Sequence, residues 1–122
     1  MTRKYELLCE DAIDFSAHHG IYKLYRVRAL RDFGDVKAGD LGGYIESERN
    51  LSHHGNAWVG RGGKVCGNAL VCDDARVSGW AEISGNARIC GDAEVDYEEV
   101  GGETIIGEPT GPMGRESPSP RM

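Results

Sequence analysis

Between Ala57 and Asp96 the chain reads AWVGRG GKVCGN ALVCDD ARVSGW AEISGN ARICGD AEVD. A small residue recurs every six positions, at Ala57, Gly63, Ala69, Ala75, Ala81, Ala87 and Ala93. Two places later stands a β-branched one: Val59, Val65, Val71, Val77, Ile83, Ile89 and Val95. A repeat this short is the mark of a solenoid, in which each unit buries its apolar face only by stacking on its neighbours. An amphipathic helix is the competing reading, but a period of six fits neither 3.6 nor 3.5 residues per turn.

Strand geometry gives the repeat its physical sense. In small–x–Val–x, alternation sends the small residue and the Val to one face and both x residues to the other. The next two residues are Gly-Asn, Gly-Asp or Asp-Asp at most corners, and these types accept the backbone of a sharp turn. Three strands and three corners close a triangular coil of eighteen residues, with Val and Ile stacked inward. Residues eighteen apart then become neighbours at ~4.8 Å. One face carries Trp58, Arg76 and Glu94, a second Lys64 and Glu82, and a third Leu70 and Arg88 beside Cys72 and Cys90. Cross-coil ion pairs are expected between Arg76 and Glu94 and between Lys64 and Glu82.

This pattern resembles the hexapeptide-repeat left-handed parallel β-helix family, whose unit places a small residue four positions after an aliphatic one, as in Val65-Cys66-Gly67-Asn68-Ala69. The recurring GNA and GDA text is similar to the YdcK-type β-solenoid repeat. The segment from Ala29 to Glu46, with Asn50-Leu51-Ser52, resembles the entry to that solenoid in short proteins encoded by phages and prophages. The resemblance spans about residues 21–96. It implies an all-β fold: a short left-handed parallel β-solenoid with triangular coils, a small N-terminal β cap and a trimeric assembly. It further implies a non-enzymatic phage-type protein of the bacterial cytoplasm. Such a protein acts on a host macromolecule or a small ligand, an inhibitor of a host defence system being one form.

Composition sets the remaining bounds. One domain is expected, divided into a β cap at 1–34, a solenoid at 35–107 with regular repeats over 55–96, and a disordered tail at 108–122. All four prolines lie in the last fourteen residues, in a context too polar to build a core. A formal charge of −6 opposes contact with nucleic-acid backbones. No signal peptide or membrane span is read, and four cysteines without a CxxC pair suit reduced thiols rather than a zinc ribbon or redox motif. No cofactor or metal is expected.

Upstream, Lys4–Leu8 and Ile21–Leu30 read as strands, with His18-His19-Gly20 as the turn between them. From Asp35 to Ser52 the rhythm is imperfect, since Arg49 falls where a small inward residue belongs. The spacing from Leu51 to Val59 is eight, so two extra residues enlarge the corner that carries His53 and His54. After Val95 the columns meet Glu99 and Gly101 and the regular pattern ends, with one last strand expected between Glu103 and Gly107.

Three sets of candidate functional residues follow. Arg61, Trp80 and Tyr97 occupy one corner column that lacks the Gly-Asn rule; with Trp58 on the adjoining face they either pack against the N-terminal cap or a neighbouring subunit, or form a platform for a ring-bearing ligand or a partner protein. His53 and His54 stand on the enlarged corner, where an imidazole could act as a base or the pair could bind a metal. The basic-aromatic strand Ile21–Leu30 is either a cap with a solvated face or a surface for an acidic ligand or a partner. Leu70, Cys72, Arg88 and Cys90 form the least polar face, the expected contact of a homo-oligomer, with Leu70 near the axis. A structural assembly module and a small hexapeptide-repeat acyltransferase are the alternative functions. The second has only four histidines to draw on, and no long acceptor loop is present.

Overall fold

The computed structural model describes residues 3–17, 20–96 and 99–107. The small–x–Val–x units form two- and three-residue strands whose inward residues stack. They build a parallel β-solenoid of about three turns. The strands are β3 (Leu41–Ile45), β4 (Trp58–Val59), β5 (Lys64–Val65), β6 (Leu70–Val71), β7 (Arg76–Ser78), β8 (Glu82–Ile83), β9 (Arg88–Ile89), β10 (Glu94–Asp96), β11 (Glu99–Val100) and β12 (Ile105–Ile106). They make three sheets. One runs β10-β7-β4, another β12-β9-β6, and the third is β3-β5-β8-β11 extended by an N-terminal hairpin. Val59, Val77 and Val95 fall in one register column, Ile45, Val65, Ile83 and Val100 in the second. Leu51, Val71, Ile89 and Ile106 make the third. Burying each such side chain contributes about 1.5–3 kcal/mol.

The corners set the coil length. Gly67 and Gly85 turn with φ of 68° and 67°, and a Cβ on Gly85 would come within 2.7 Å of the Gly102 nitrogen. Only glycine fits such a stacked, left-handed corner without displacing its neighbour. The first coil is longer than eighteen residues, because Ile45 pairs with Val65 and Leu51 with Val71. The excess lies between Leu51 and Val59, which stand eight apart, while a 3-10 turn at Glu48–Asn50 shapes the corner before Leu51. Asn50 replaces the missing strand bonds: its Oδ1 accepts from the Glu46 and Ser47 amides at 3.1 and 2.9 Å, and its Nδ2 donates to the Gly67 and Ala69 carbonyls at 3.2 and 2.8 Å.

The final coil departs from expectation in the other direction. The columns do not end at Val95. Val100 lies on Ile83 and Ile106 on Ile89, so the corner loses one residue and Val100, not Gly101, takes the inward position. A fixed period of six cannot register a deletion, which is why the pattern looked finished.

The first N-terminal strand is longer than its alternation suggested, while the second has the expected length, one residue earlier. β1 spans Tyr5–Ala17 and pairs antiparallel with β2, Gly20–Ala29, through a register shift between Leu8 and Ala12. That shift breaks the period of two and hides the strand's second half. β2 then pairs antiparallel with β3, joining the hairpin to the solenoid sheet. The expected turn residues His18 and His19, the corner residue Tyr97 and the tail at 108–122 lie outside the described residues.

The open end of the first coil is closed by side chains. In the stack, each Ala carbonyl accepts a hydrogen bond from the coil above, as Ala75 does from Trp58. Ala57 has no such coil, and the buried Lys4 ammonium donates to its carbonyl at 2.6 Å. Tyr5 Oη donates likewise to the Leu51 carbonyl at 2.5 Å. Burial first, then the Arg31 charge, lowers the Lys4 pKa to about 8. Unfolded, the lysine holds its proton to about 10.4. Between those values the unfolded chain binds more protons, so stability rises with pH. Relative to Lys4→Met, the wild type should gain on the order of 1–2 kcal/mol between pH 8 and pH 10.5, allowing for solvent screening. Urea melts of both proteins across that range check it. A difference that stays flat or falls would place the charge elsewhere.

Two expected ion pairs are not formed. Arg76 stacks on Glu94 in register but pairs with Asp35, its Nη2 at 2.5 Å from the carboxylate, which holds Asp35 below the usual carboxylate range. The loop after β2 descends over this face and reaches the guanidinium first. Lys64 stacks on Glu82, yet its ammonium lies 5.8 Å from the Phe15 ring, near the tip of the hairpin.

Candidate functional site

The enlarged corner is the most elaborated part of the surface. Its two extra residues bulge outward, and Ser52 braces them: its Oγ accepts from the His54 amide at 3.0 Å. His53 leans back on the cap, its ring stacked on Tyr5 at 4.1 Å between centroids. Its Nδ1 accepts from the Lys4 amide at 3.1 Å, so the proton sits on Nε2, 2.9 Å from Glu48 Oε1. Both ring nitrogens are engaged. A general base needs a free lone pair, and His53 has committed its own to the backbone. His54 is exposed on the rim.

Between this corner and the third face opens a groove of about 870 Å³. Leu51, Leu70 and Cys72 supply its apolar part, while Arg3, Arg31, Arg49, His53 and His54 line it with cationic or ionisable groups against one acid, Glu48. Glu48 is shared, with Oε2 2.6 Å from Arg3 and Oε1 on His53. Arg49 donates through Nε to the Gly67 carbonyl at 3.1 Å and stands 3.8 Å from Glu46. Arg31 is different. Its Nη2 reaches only the His53 carbonyl, at 3.5 Å, and its Nε is buried with no partner among the described residues. A buried guanidinium nitrogen without an acceptor is costly unless something supplies one.

The structure thus gathers His53, His54, Leu70 and Cys72 into one groove. Arg3, Arg31 and Glu48 were not visible as site residues, because they lie outside the repeat and arrive by chain folding. Arg61 and Trp80 are elsewhere, on a solenoid edge, where Trp80 is 67% exposed and packs over Gly62. Trp58 leaves the list of surface candidates: it is 6% exposed, with the Phe33 ring against it edge-on at 5.3 Å. On the third face, Ile105 joins Leu70 and Arg88 in register and is 63% exposed.

A second hollow, of about 440 Å³, lies between Phe15 and Ser16 of the hairpin and the sheet residues Glu82, Ser84 and Glu99. Glu82 and Glu99 are register neighbours. The two concavities therefore have opposite sign. Cys66 and Cys72 are poor nucleophiles as they stand. Burial, with Glu46 and Glu82 nearby, pushes the Cys66 thiol up to about 11, and burial and the Cys90 thiol raise Cys72 as well.

Fold and site together define a short β-solenoid with a cationic groove beside its least polar face. No protein-family model matches the chain, and no curated protein does. No helix among the described residues is long and apolar enough to cross a membrane.

Proposed function

We propose that the chain is a non-catalytic binding protein of the left-handed hexapeptide-repeat type, and that the groove at the enlarged corner takes an acidic ligand with an apolar or ring-bearing portion. The observation that carries this reading is the lining of the groove, where Arg3, Arg31 and Arg49 stand with Leu70 and Cys72 against a single acid, Glu48. A carboxylate or phosphate there would accept a charge-assisted hydrogen bond, while the ring covers the apolar part. The engaged ring of His53 favours binding over acyl transfer. In the phage setting that the sequence suggests, the ligand is a small host compound or an acidic side chain of a host protein.

Benzoate and phenyl phosphate are suitable probes, followed by amide NMR. Shifts should concentrate at Arg31, His53, His54 and Leu70, and Arg31→Gln should weaken binding about tenfold or more. Shifts that instead gather at Arg61 and Trp80, or that ignore the substitution, would move the site to the other edge.

A second reading concerns assembly. The outward column Leu70–Arg88–Ile105 leaves Ile105 bare, and covering it with further copies, as a trimer, would place the groove at a subunit boundary. Light scattering should then show a wild-type oligomer at tens of micromolar and a monomer for Leu70→Glu, since like charges meeting in a desolvated contact cost several kcal/mol. A monomeric wild type removes the trimer and leaves the groove to a single chain.

A further inference from the structure

We propose that Cys72, Asp73 and Cys90 form a binding site for a thiophilic divalent cation such as zinc. The register Leu70↔Arg88 and Val71↔Ile89 sets Cys72 over Cys90 on consecutive coils, with the sulfurs 2.9 Å apart. Asp73 follows at the corner, and one donor atom from each residue lies within 4.8 Å of the others. Cys90 is 1% exposed and Cys72 half-buried at the edge of the groove, so the cluster is sheltered but has an entry path.

The third group decides between the two chemistries open to paired thiols. A disulfide has no use for a carboxylate. A cation uses all three donors: two thiolates and one carboxylate are a set that zinc accepts, and sulfur ligands select against magnesium and calcium. Asp73 is also held for the task. Its Oδ2 accepts from the Gly91 amide at 3.0 Å, an orienting bond of the kind that ligating carboxylates receive. Among the described residues it is the one non-glycine at positive φ, 58°, in a corner position filled by glycine at Gly55, Gly67, Gly79, Gly85 and Gly91. The sequence places a ligand-capable side chain where the backbone would be easier with none. Three protein donors leave a fourth position for water or for a group reaching in from the groove.

Both thiols must lose their protons to bind, so each ion taken up releases two. The test titrates the reduced full-length protein with cobalt(II), whose thiolate charge-transfer absorption reports sulfur ligation directly. One ion per chain is expected, displaced by zinc, with two protons released. Cys72→Ser and Cys90→Ser should abolish the absorption, Asp73→Asn should weaken binding at least tenfold, and Cys9→Ser and Cys66→Ser should change nothing. Circular dichroism of each variant separates a lost ligand from a lost fold, and Asp73→Asn keeps both sulfurs in place. The proposal is overturned if reduced wild type shows no charge-transfer band, if the band survives in Cys72→Ser, or if Asp73→Asn binds as tightly as wild type. A chain that binds no cobalt but loses two hydrogens to hydrogen peroxide would make the pair a redox staple instead.

Discussion

Val77→Asp is expected to leave no cooperative thermal transition. Val77 is buried between Val59 and Val95 in the middle coil. The substitution removes one aliphatic side chain from that column and puts a charge there with no partner, a combination that costs several kcal/mol. Domains of this size hold only about 5–15 kcal/mol in total. Ser78→Asp is the control. One residue further along the same strand the side chain points to solvent, and the change should stay within about 0.5 kcal/mol. Circular dichroism melts of the two variants test the period-two alternation directly. Equal melting temperatures for Val77→Asp and wild type would refute the inward column.

The second large effect is expected at a polar residue. Asn50→Ala strands the Ser47 amide and the Ala69 carbonyl in a largely buried corner, and leaves the Glu46 amide and the Gly67 carbonyl with one partner each, Val65 and Arg49. Each stranded group costs about 1–3 kcal/mol, less where water can enter, so a loss of about 3 kcal/mol or more is anticipated. Asn50→Asp keeps the acceptor but turns a carboxylate toward the Gly67 and Ala69 carbonyls, and should be no better than alanine. Urea midpoints measure both. If Asn50→Ala unfolds at the wild-type midpoint, the first coil is held by its backbone alone.

Much of this fold could be read from Ala57 onward. The inward columns, their register and the outward neighbours Trp58–Arg76, Lys64–Glu82 and Leu70–Arg88 all follow from a period of six and strand alternation. What escaped reading were events at corners. The step from Val95 to Val100 is one residue short without altering a strand, so the columns continue while the arithmetic does not, and the Glu48–Asn50 turn fills a corner whose spacing looks ordinary. The pairings of outward side chains escaped as well. Alternation says where Arg76 points, but not that Asp35 arrives from a loop forty-one residues earlier. For the site, the eight-residue spacing marked His53 and His54. Nothing local marked Arg31, whose role depends on the hairpin bringing it to the same rim.

The hairpin also decides how this molecule can meet another. A stack of parallel strands is open-ended, and its top row would accept a further coil from any chain with the same rhythm. Here that row is closed on one sheet by antiparallel strands, so the outermost edge belongs to β1. It carries a bulge after Leu8, and Glu10, Asp11 and Asp14 stand exposed along it. Bulged, acidic edges are poor templates for strand addition. Growth into a fibre is thereby opposed along this sheet at this end.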